Sequence, residues 1–267
     1  MTTTTVCLIG APHDTNSSFL QGAAQAPDCI RRVLHNGAAN MTSESGVDIS
    51  TPGLLRDAGN IDVENRQQDV MLVESGIAAI LAASERPLML GGDHAVTYPA
   101  LKAISAQHGA VDILHFDAHS DTYPDFDGNP YSHASPFARI LEAGLCERLV
   151  QVGIRTLTEA QQTVITRYGV ECEPWRGDVS QWLGLSFARP LYISVDIDAL
   201  DPAFAPAVSH HEPGGMTTRD ILQVLHTLKG QVVGADVVEY NPLRDQNDMT
   251  AMVCAKFVKE LVALLSR

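Results

Sequence analysis

Residues 111–121 read VDILHFDAHSD, an apolar run that leads directly into three side chains of metal-binding types, spaced two residues apart. Val111–Phe116 is largely apolar, which is typical of a strand buried on both faces of a parallel sheet. Ligands of such sheets bind beyond the carboxyl ends of the strands. The segment therefore predicts a parallel α/β fold and a functional site at the end of this strand.

The same arrangement recurs along the chain. Apolar runs lead into polar residues at 88–94 (LMLGGDH), 191–198 (LYISVDID) and 232–239 (VVGADVVE). Longer stretches with helical spacing of apolar residues separate these runs, so strands and helices alternate. We predict strands at 6–10, 88–90, Val111–Phe116, 149–152, 191–195 and Val232–Val238, and helices at 27–35, 63–84, 98–107, 135–143, 158–168, 217–228 and 250–265. No repeat or linker divides the chain, which favours a single domain that spans residues 1–267.

The chain has 267 residues, with 18 Lys and Arg against 32 Asp and Glu, and a formal charge of −14. So few cations argue against a nucleic-acid or anionic-membrane partner, because binding phosphates requires many of them. The electrostatic field of a negatively charged protein favours a cationic small molecule as ligand instead. The five cysteines lack metal-binding spacing, which predicts reduced thiols. No signal peptide or membrane-spanning run is recognisable, and we expect a cytoplasmic protein.

The polar residues after the strands are of metal-binding types. Along an extended backbone, Asp117, His119 and Asp121 would share one face. The same spacing would bring Asp196 and Asp198 together. Four carboxylates in one cleft require cations. Mostly oxygen ligands with a minority of imidazole favour Mn²⁺, with Zn²⁺, Co²⁺ or Fe²⁺ as alternatives.

Other histidines are not assigned to this cluster. His115 precedes Asp117 by two residues and is expected to be a hydrogen-bonded core residue. His226 lies on a predicted helix and is expected to be solvated. For His13, after the first strand, a place in the cleft and a role in holding the loop are equally open.

Four motifs in this order, GGDH (91–94), DAHSD (117–121), SVDIDALDP (194–202) and DVVEYNP (236–242), resemble those of the ureohydrolase family of arginases and agmatinases. The resemblance covers nearly the whole chain. It is strongest to the plant-type, agmatinase-like arginases, on NSSFLQG (16–22), YSHAS (131–135), SHHEPGG (209–215) and MTAMV (249–253). It implies a three-layer α/β/α fold with a mostly parallel sheet of about eight strands, as in arginases and deacetylases. It also implies a homo-oligomer, a hexamer or a trimer.

The resemblance further implies a centre of two Mn²⁺ ions. Six residues would be its ligands: His94, Asp117, His119, Asp121, Asp196 and Asp198, with Asp117 and Asp196 shared by both ions. Asp121 would also orient a metal-bridging hydroxide that attacks the guanidinium carbon and releases urea. Glu239 would bind the substrate guanidinium, and His133 would supply a proton to the departing amine.

More than one guanidinium compound fits the sequence as substrate. We expect L-arginine, hydrolysed to L-ornithine and urea, with agmatine or another guanidino compound as the alternative. No Lys or Arg lies between Lys102 and Arg139, so neutral groups would bind the substrate tail. The predicted substrate-binding residues are Asn129, Ser132, His133, Ser209, His210 and Glu239. Ala207 and His211 depart from the plant-type pattern, and Ala would restrict a backbone position where Gly is usual.

Three rival functions fit the sequence less well. A single-zinc deacetylase would not need His94 and Asp121. A two-metal phosphoesterase would need cationic phosphate clamps, and none lies near residues 117–121. A non-catalytic binding protein would be expected to have lost a ligand or Glu239, and all are present.

Overall fold

The computed structural model describes residues 4–267 and contains eight strands and seven α-helices in that range. The strands are β1 (Val6–Ala11), β2 (Leu55–Asn60), β3 (Arg86–Gly91), β4 (Val111–Phe116), β5 (Cys146–Val152), β6 (Glu171–Cys172), β7 (Leu191–Asp196) and β8 (Val232–Val238). The helices are α1 (Ala26–Leu34), α2 (Leu72–Ala82), α3 (Thr97–His108), α4 (Pro136–Glu142), α5 (Glu159–Tyr168), α6 (Thr218–Thr227) and α7 (Met249–Leu265).

All eight strands form one parallel sheet in the order β2-β1-β3-β8-β7-β4-β5-β6. Helices cover both faces of the sheet. α1, α6 and α7 pack on one face, and α2, α3 and α4 pack on the other. The predicted three-layer α/β/α fold is confirmed. None of the described helices is long and apolar enough to cross a membrane.

Burial on both faces explains why the central strands are continuously apolar. In β3, Leu88 and Leu90 pack into the layer of α1 and α7, whereas Met89 packs into the layer of α2 and α3. Successive side chains of a strand point to opposite faces, so each face of the sheet needs its own apolar set. A hydrophobic run without alternation is the result.

Two strands were not predicted from the sequence, and both lie at edges of the sheet. β2 reads LRDAGN and is largely exposed, and β6 has only two residues. An edge strand needs no apolar face on its open side, so β2 carries little hydrophobic signal. The other predicted strands are present with bounds that differ by a few residues.

The helix predicted at 63–84 is wrong in its first half. A 3₁₀ turn occupies Gln67–Met71, and α2 begins only at Leu72. The side chain of Asp69 accepts hydrogen bonds from the backbone N–H groups of Glu64 and Arg66, which starts the turn at Arg66. Asn65 has φ 55°, a left-handed conformation that breaks any helix before this point.

A charged network joins the 36–53 loop to α6 and α7. Glu44 accepts hydrogen bonds from the Arg219 guanidinium at 2.6 and 2.9 Å and lies 3.0 Å from Lys256 Nζ. Glu260 accepts a hydrogen bond from Lys256 Nζ at 2.6 Å and lies 2.9 Å from His226 Nε2. His226 is exposed, as the sequence predicted, and is in addition paired with Glu260.

Candidate metal and catalytic site

Four adjacent strands, β3, β8, β7 and β4, end at the same edge of the sheet. Their continuations carry His94, Glu239, Asp196 and Asp117, so parallel pairing brings residues far apart in sequence into one place. Gly92 permits the close approach of β3 to the loop after β1. A Cβ atom there would lie 1.8 Å from the backbone oxygen of His13, which no side chain permits.

The polar residues after β4 converge through turns. The prediction that Asp117, His119 and Asp121 share a face of an extended strand is wrong, because β4 ends at Phe116. The His119 backbone N–H donates to Asp117 Oδ1 at 2.6 Å, and Asp121 takes φ 51°. After β7, a 3₁₀ turn over Ile197–Ala199 brings Asp198 back toward the preceding strand.

Two site carboxylates lie on left-handed backbone. Asp121 has φ 51° and Glu239 has φ 64°. This conformation is unfavourable for residues with a Cβ and costs about 1–3 kcal/mol, so the surrounding fold must hold it. Strain of this kind concentrates at functional sites. At Glu239 it follows directly after β8, where the chain leaves the sheet beside the cleft.

His94 is the centre of a first group of ligands. Its Nδ1 lies 3.2 Å from Asp117 Oδ2 and 3.1 Å from both Asp121 Oδ2 and Asp196 Oδ2. The ring is fully buried, and Nδ1 makes no hydrogen bond. A buried imidazole nitrogen without a partner, surrounded by three carboxylate oxygens, fits a divalent cation.

A second group adjoins the first and shares Asp117 with it. His119 Nδ1 lies 3.1 Å from Asp198 Oδ2 and 3.5 Å from Asp117 Oδ1. Ligand atoms of these three residues lie within 4.8 Å of one another, a spacing that could hold a metal ion. Asp198 is joined to Asp196 by a hydrogen bond from its backbone N–H to Asp196 Oδ1 at 2.7 Å. The six predicted ligands thus form one cluster.

The electrostatics of this cluster also call for cations. Burial, with the charges of Asp198 and Asp117, raises the pKa of Asp196 well above its ordinary value. Burial likewise raises the pKa of Asp198 to about 6. Carboxylates with such pKa values are crowded and poorly solvated. Divalent ions would offset this charge.

His115 supports the cluster from beneath. Gln151 Nε2 donates to His115 Nδ1 at 3.0 Å, which leaves His115 Nε2 to donate to Asp117 Oδ2 at 2.8 Å. Both ring nitrogens are engaged, so this histidine is a hydrogen-bonded core residue, as the sequence predicted. His115, His94 and Asp117 are close enough to bind an ion together, but His115 has no free lone pair for it.

Glu239 and His133 form one wall of the cleft. Glu239 Oε1 accepts hydrogen bonds from the His94 backbone N–H and from His133 Nδ1, both at 2.9 Å. No described residue donates to Oε2, which leaves one carboxylate oxygen for a ligand. Burial lowers the pKa of His133, but the charge and hydrogen bond of Glu239, with the charges of Asp121 and Asp93, together outweigh burial and raise that pKa to about 9. Ser18 Oγ lies 2.9 Å from His133 Nε2.

The cleft above the cluster has a volume of about 220 Å³. Seven predicted site residues line it: His119, Asp121, His133, Asp196, Asp198, His210 and Glu239. Seven further lining residues were not assigned from the sequence: Ser18, Tyr123, Phe126, Ala134, Thr156, Thr158 and Gln161. Of these, Thr158 and Gln161 carry a local signal, because they form the capping box that begins α5.

Three predicted tail-binding residues do not line the cleft. Asn129 donates to Asn16 Oδ1 at 2.9 Å, and buried Ser132 accepts a hydrogen bond from the Ala134 N–H. Ser209 Oγ donates to the Leu20 backbone oxygen at 2.9 Å. These contacts hold loops around the site together.

The two departures from the plant-type pattern leave the cleft intact. Ala207 is buried and is not among the residues with positive φ, so its Cβ is accommodated without backbone strain. His211 lies with Nε2 2.7 Å from the Pro206 backbone oxygen and does not line the cleft. His13 is also structural, because it is buried with Nε2 3.0 Å from the Arg66 backbone oxygen.

Comparison with known proteins shows which family this chain resembles. The Arginase family profile matches residues 4–263. An Arabidopsis thaliana protein named "Arginase 2, chloroplastic/mitochondrial" is 47% identical over 98% of this chain and 81% of its own length. A Medicago truncatula protein named "Arginase, mitochondrial" is 44% identical over 98% of this chain and 82% of its own. The solved structure "Arginase from Medicago truncatula" superposes with a TM-score of 0.95 at 44% identity, covering 99% of this chain and 88% of that one.

These relatives correct one expectation. The prediction of a cytoplasmic protein is wrong, because the two relatives are named for mitochondria or chloroplasts. Charge and cysteine spacing describe the folded domain, and they carry no record of the compartment in which it works.

Proposed function

Because this chain belongs to the arginase family, we propose that it is a dinuclear manganese arginase that hydrolyses L-arginine to L-ornithine and urea. The observation that carries the proposal is the buried His94 Nδ1, which faces three carboxylate oxygens and has no hydrogen-bond partner. A second ion would be held by the adjoining group of Asp117, His119 and Asp198. Oxygen-rich ligation with two imidazoles favours Mn²⁺.

Each residue of the cleft has a role that follows from its position. When bound, two divalent ions supply Lewis acidity that makes water a nucleophile near neutral pH. Asp121 lines the cleft beside His94 and would accept a hydrogen bond from the attacking water. Glu239 would bind the guanidinium through Oε2, because its Oε1 is already occupied by two donors. A carboxylate and a guanidinium form strong charge-assisted hydrogen bonds in a buried site.

His133 would deliver the proton that the reaction needs. The C–N bond breaks only if the departing amine gains a proton, because an alkylamide anion is a very poor leaving group. Glu239 raises the pKa of the His133 ring, which favours its protonated form at neutral pH. His133 also lines the cleft and contacts Glu239, so the acid would lie beside the bound guanidinium.

Agmatine is the second candidate substrate, and the lining of the cleft favours it. No Lys or Arg is among the described residues that line the cleft, so away from His133 a substrate carboxylate would meet neutral donors such as Ser18, Thr156 and Gln161. Agmatine lacks that carboxylate. We favour arginine because two relatives that are 47% and 44% identical over 98% of this chain are named arginases.

The remaining features of the proposal come from the family resemblance. We propose that residues 1–267 act as one catalytic domain and that the chain assembles into a homo-oligomer, a hexamer or a trimer. Its partner would be a small guanidinium substrate, with no nucleic acid and no membrane, in agreement with the formal charge of −14.

The test measures urea release from the Mn²⁺-loaded protein with arginine, agmatine, guanidinobutyrate and guanidinopropionate. His119→Asn and Asp196→Asn are each expected to remove nearly all activity, because each removes a ligand. Urea release by Asp196→Asn equal to wild type would exclude the dinuclear centre. A kcat/KM for agmatine tenfold above that for arginine, about 1.4 kcal/mol in barrier, would reverse the choice of substrate.

A further inference from the structure

A row of polar side chains crosses the sheet directly beneath the ligands. Sheet register places His115 of β4 beside Ser194 of β7, and Ser194 beside Asp236 of β8. All three are fully buried in the face that α3 and α4 cover. His115 and Ser194 lie two residues before the candidate ligands Asp117 and Asp196, and Asp236 is paired with Ser194 in the next strand.

Ser194 and Asp236 connect this row to His94. His94 Nε2 lies 2.9 Å from Ser194 Oγ, and Ser194 Oγ lies 2.6 Å from Asp236 Oδ1. The other oxygen of the same carboxylate, Oδ2, accepts hydrogen bonds from Thr97 Oγ1 at 2.8 Å and from Tyr192 OH at 2.9 Å. Within residues 4–267 no cation lies beside Asp236, and three hydroxyl groups satisfy its charge.

The directions of these hydrogen bonds fix the protonation of the His94 ring. A carboxylate accepts hydrogen bonds only, so the single Ser194 hydroxyl proton points to Asp236. Ser194 Oγ can then interact with His94 Nε2 only as an acceptor, which requires the proton of the neutral ring to be on Nε2. The lone pair is therefore on Nδ1, the atom that faces the carboxylates of Asp117, Asp121 and Asp196.

We propose that Ser194 and Asp236 are positioning residues that hold His94 as an Nδ1 ligand and thereby set the metal affinity of one of the two ion positions. This inference rests on the proposed dinuclear centre. The effect on metal affinity should be selective for one ion. The second histidine, His119, would bind the other ion and is partly exposed. Among the described residues, no relay of a buried hydroxyl or carboxylate holds its ring in the same way. Groups that orient a metal-bound histidine in this way typically change metal affinity by about 10–100-fold.

The experiment compares Mn²⁺ binding by wild type, Ser194→Ala and Asp236→Asn. Each protein is stripped with a chelator and titrated with Mn²⁺, and the electron paramagnetic resonance signal of unbound Mn²⁺ gives affinity and stoichiometry. Wild type is expected to bind two ions. Ser194→Ala is expected to keep one ion at wild-type affinity and to bind the other about 10–100-fold more weakly. Asp236→Asn is expected to weaken the same ion less, because an amide oxygen still accepts the Ser194 hydrogen bond.

Tyr192→Phe is the matched control. It removes a hydrogen bond to Asp236 Oδ2 but leaves the path from Oδ1 through Ser194 to His94 intact. Both ions are expected to bind within twofold of wild type, even though a buried carboxylate has lost a donor and the melting temperature falls.

The outcomes separate this inference from the proposed function. A wild-type protein that binds fewer than two Mn²⁺ ions contradicts the dinuclear centre itself. Two ions in wild type together with unchanged binding in Ser194→Ala overturn the relay alone. Equal weakening by Tyr192→Phe and Ser194→Ala also overturns it, because the effect would then be a general loosening of the core. If circular dichroism shows that Ser194→Ala does not fold, the Mn²⁺ affinity of Asp236→Asn is compared with that of Tyr192→Phe instead. Weaker binding of one ion by Asp236→Asn alone supports the relay, and equal or unchanged binding in the two variants overturns it.

Discussion

Glu239→Gln separates substrate binding from metal binding. The side chain is buried, and its Oε1 already accepts hydrogen bonds from the His94 N–H and from His133 Nδ1. The amide keeps the shape and one acceptor, but it loses the charge and presents an NH₂ group where the guanidinium must donate. Removing one partner of a buried, hydrogen-bonded charge pair costs about 2–5 kcal/mol. The expected fall in kcat/KM for arginine is therefore about 30- to 4,000-fold.

The assay measures urea release over a range of arginine concentrations and, on the same sample, the number of Mn²⁺ ions bound. Two ions are expected, because Glu239 is not a proposed ligand. Glu212→Gln is the control, since this acidic residue is near the site in sequence but does not line the cleft, and its kcat/KM should stay within twofold of wild type. A fall of less than tenfold for Glu239→Gln with both ions bound would refute the placement of the guanidinium on Glu239. Loss of an ion would instead show that Glu239 acts through the His94 backbone.

Three further predictions concern stability. Gly92→Ala would place a Cβ 1.8 Å from the His13 backbone oxygen. The substitution should lower the free energy of unfolding, measured by urea denaturation, by at least about 1–3 kcal/mol. A urea midpoint equal to that of wild type would mean that the loop moves away from the added methyl group freely. Chelation should lower the melting temperature, and Mn²⁺ at about 100 times its Kd should restore about 2.7 kcal/mol per site; a melting temperature indifferent to Mn²⁺ would contradict the metal centre. For Glu44, hydrogen bonds from Arg219 lower the pKa from 4.5 to about 2. The stabilisation is therefore present above pH 4.5 and disappears as the pH falls toward 2. The free energy of unfolding of wild type should exceed that of Glu44→Gln by no more than about 1 kcal/mol at pH 7, because the ion pair is partly exposed. This difference should close below pH 4.5, and a difference that grows on acidification would contradict the assignment.

The sequence was most informative where a signal is local. Apolar runs that lead into Asp, His or Glu identified β3, β4, β7 and β8 and the residues that follow them. It was least informative at the sheet edges, where β2 is polar because only one side is covered. It also failed for the geometry after β4, since the left-handed conformation of Asp121 is held by its surroundings and not by its own preference.

Contacts that depend on strand order were beyond the reach of the sequence. Ser194 and Asp236 are distant along the chain and become neighbours only because β7 pairs with β8 in one register. The same holds for Ser18 and His133, which meet across the cleft, and for Asn129 and Ser132, which turn to hold loops.

The sequence by itself determined the layered parallel fold and which residues are candidate metal ligands. Hydrophobic periodicity and residue chemistry are properties of short segments, and they do not depend on which strands are neighbours. Only the tertiary structure decided which carboxylates face His94 Nδ1, which oxygen of Glu239 is free, and which hydroxyl and carboxylate fix the His94 ring. Those features depend on distances between strands that are remote in sequence. Hydrogen bonds and metal ligation require atoms within about 3 Å of each other, a condition that strand order and register impose and that no local pattern encodes.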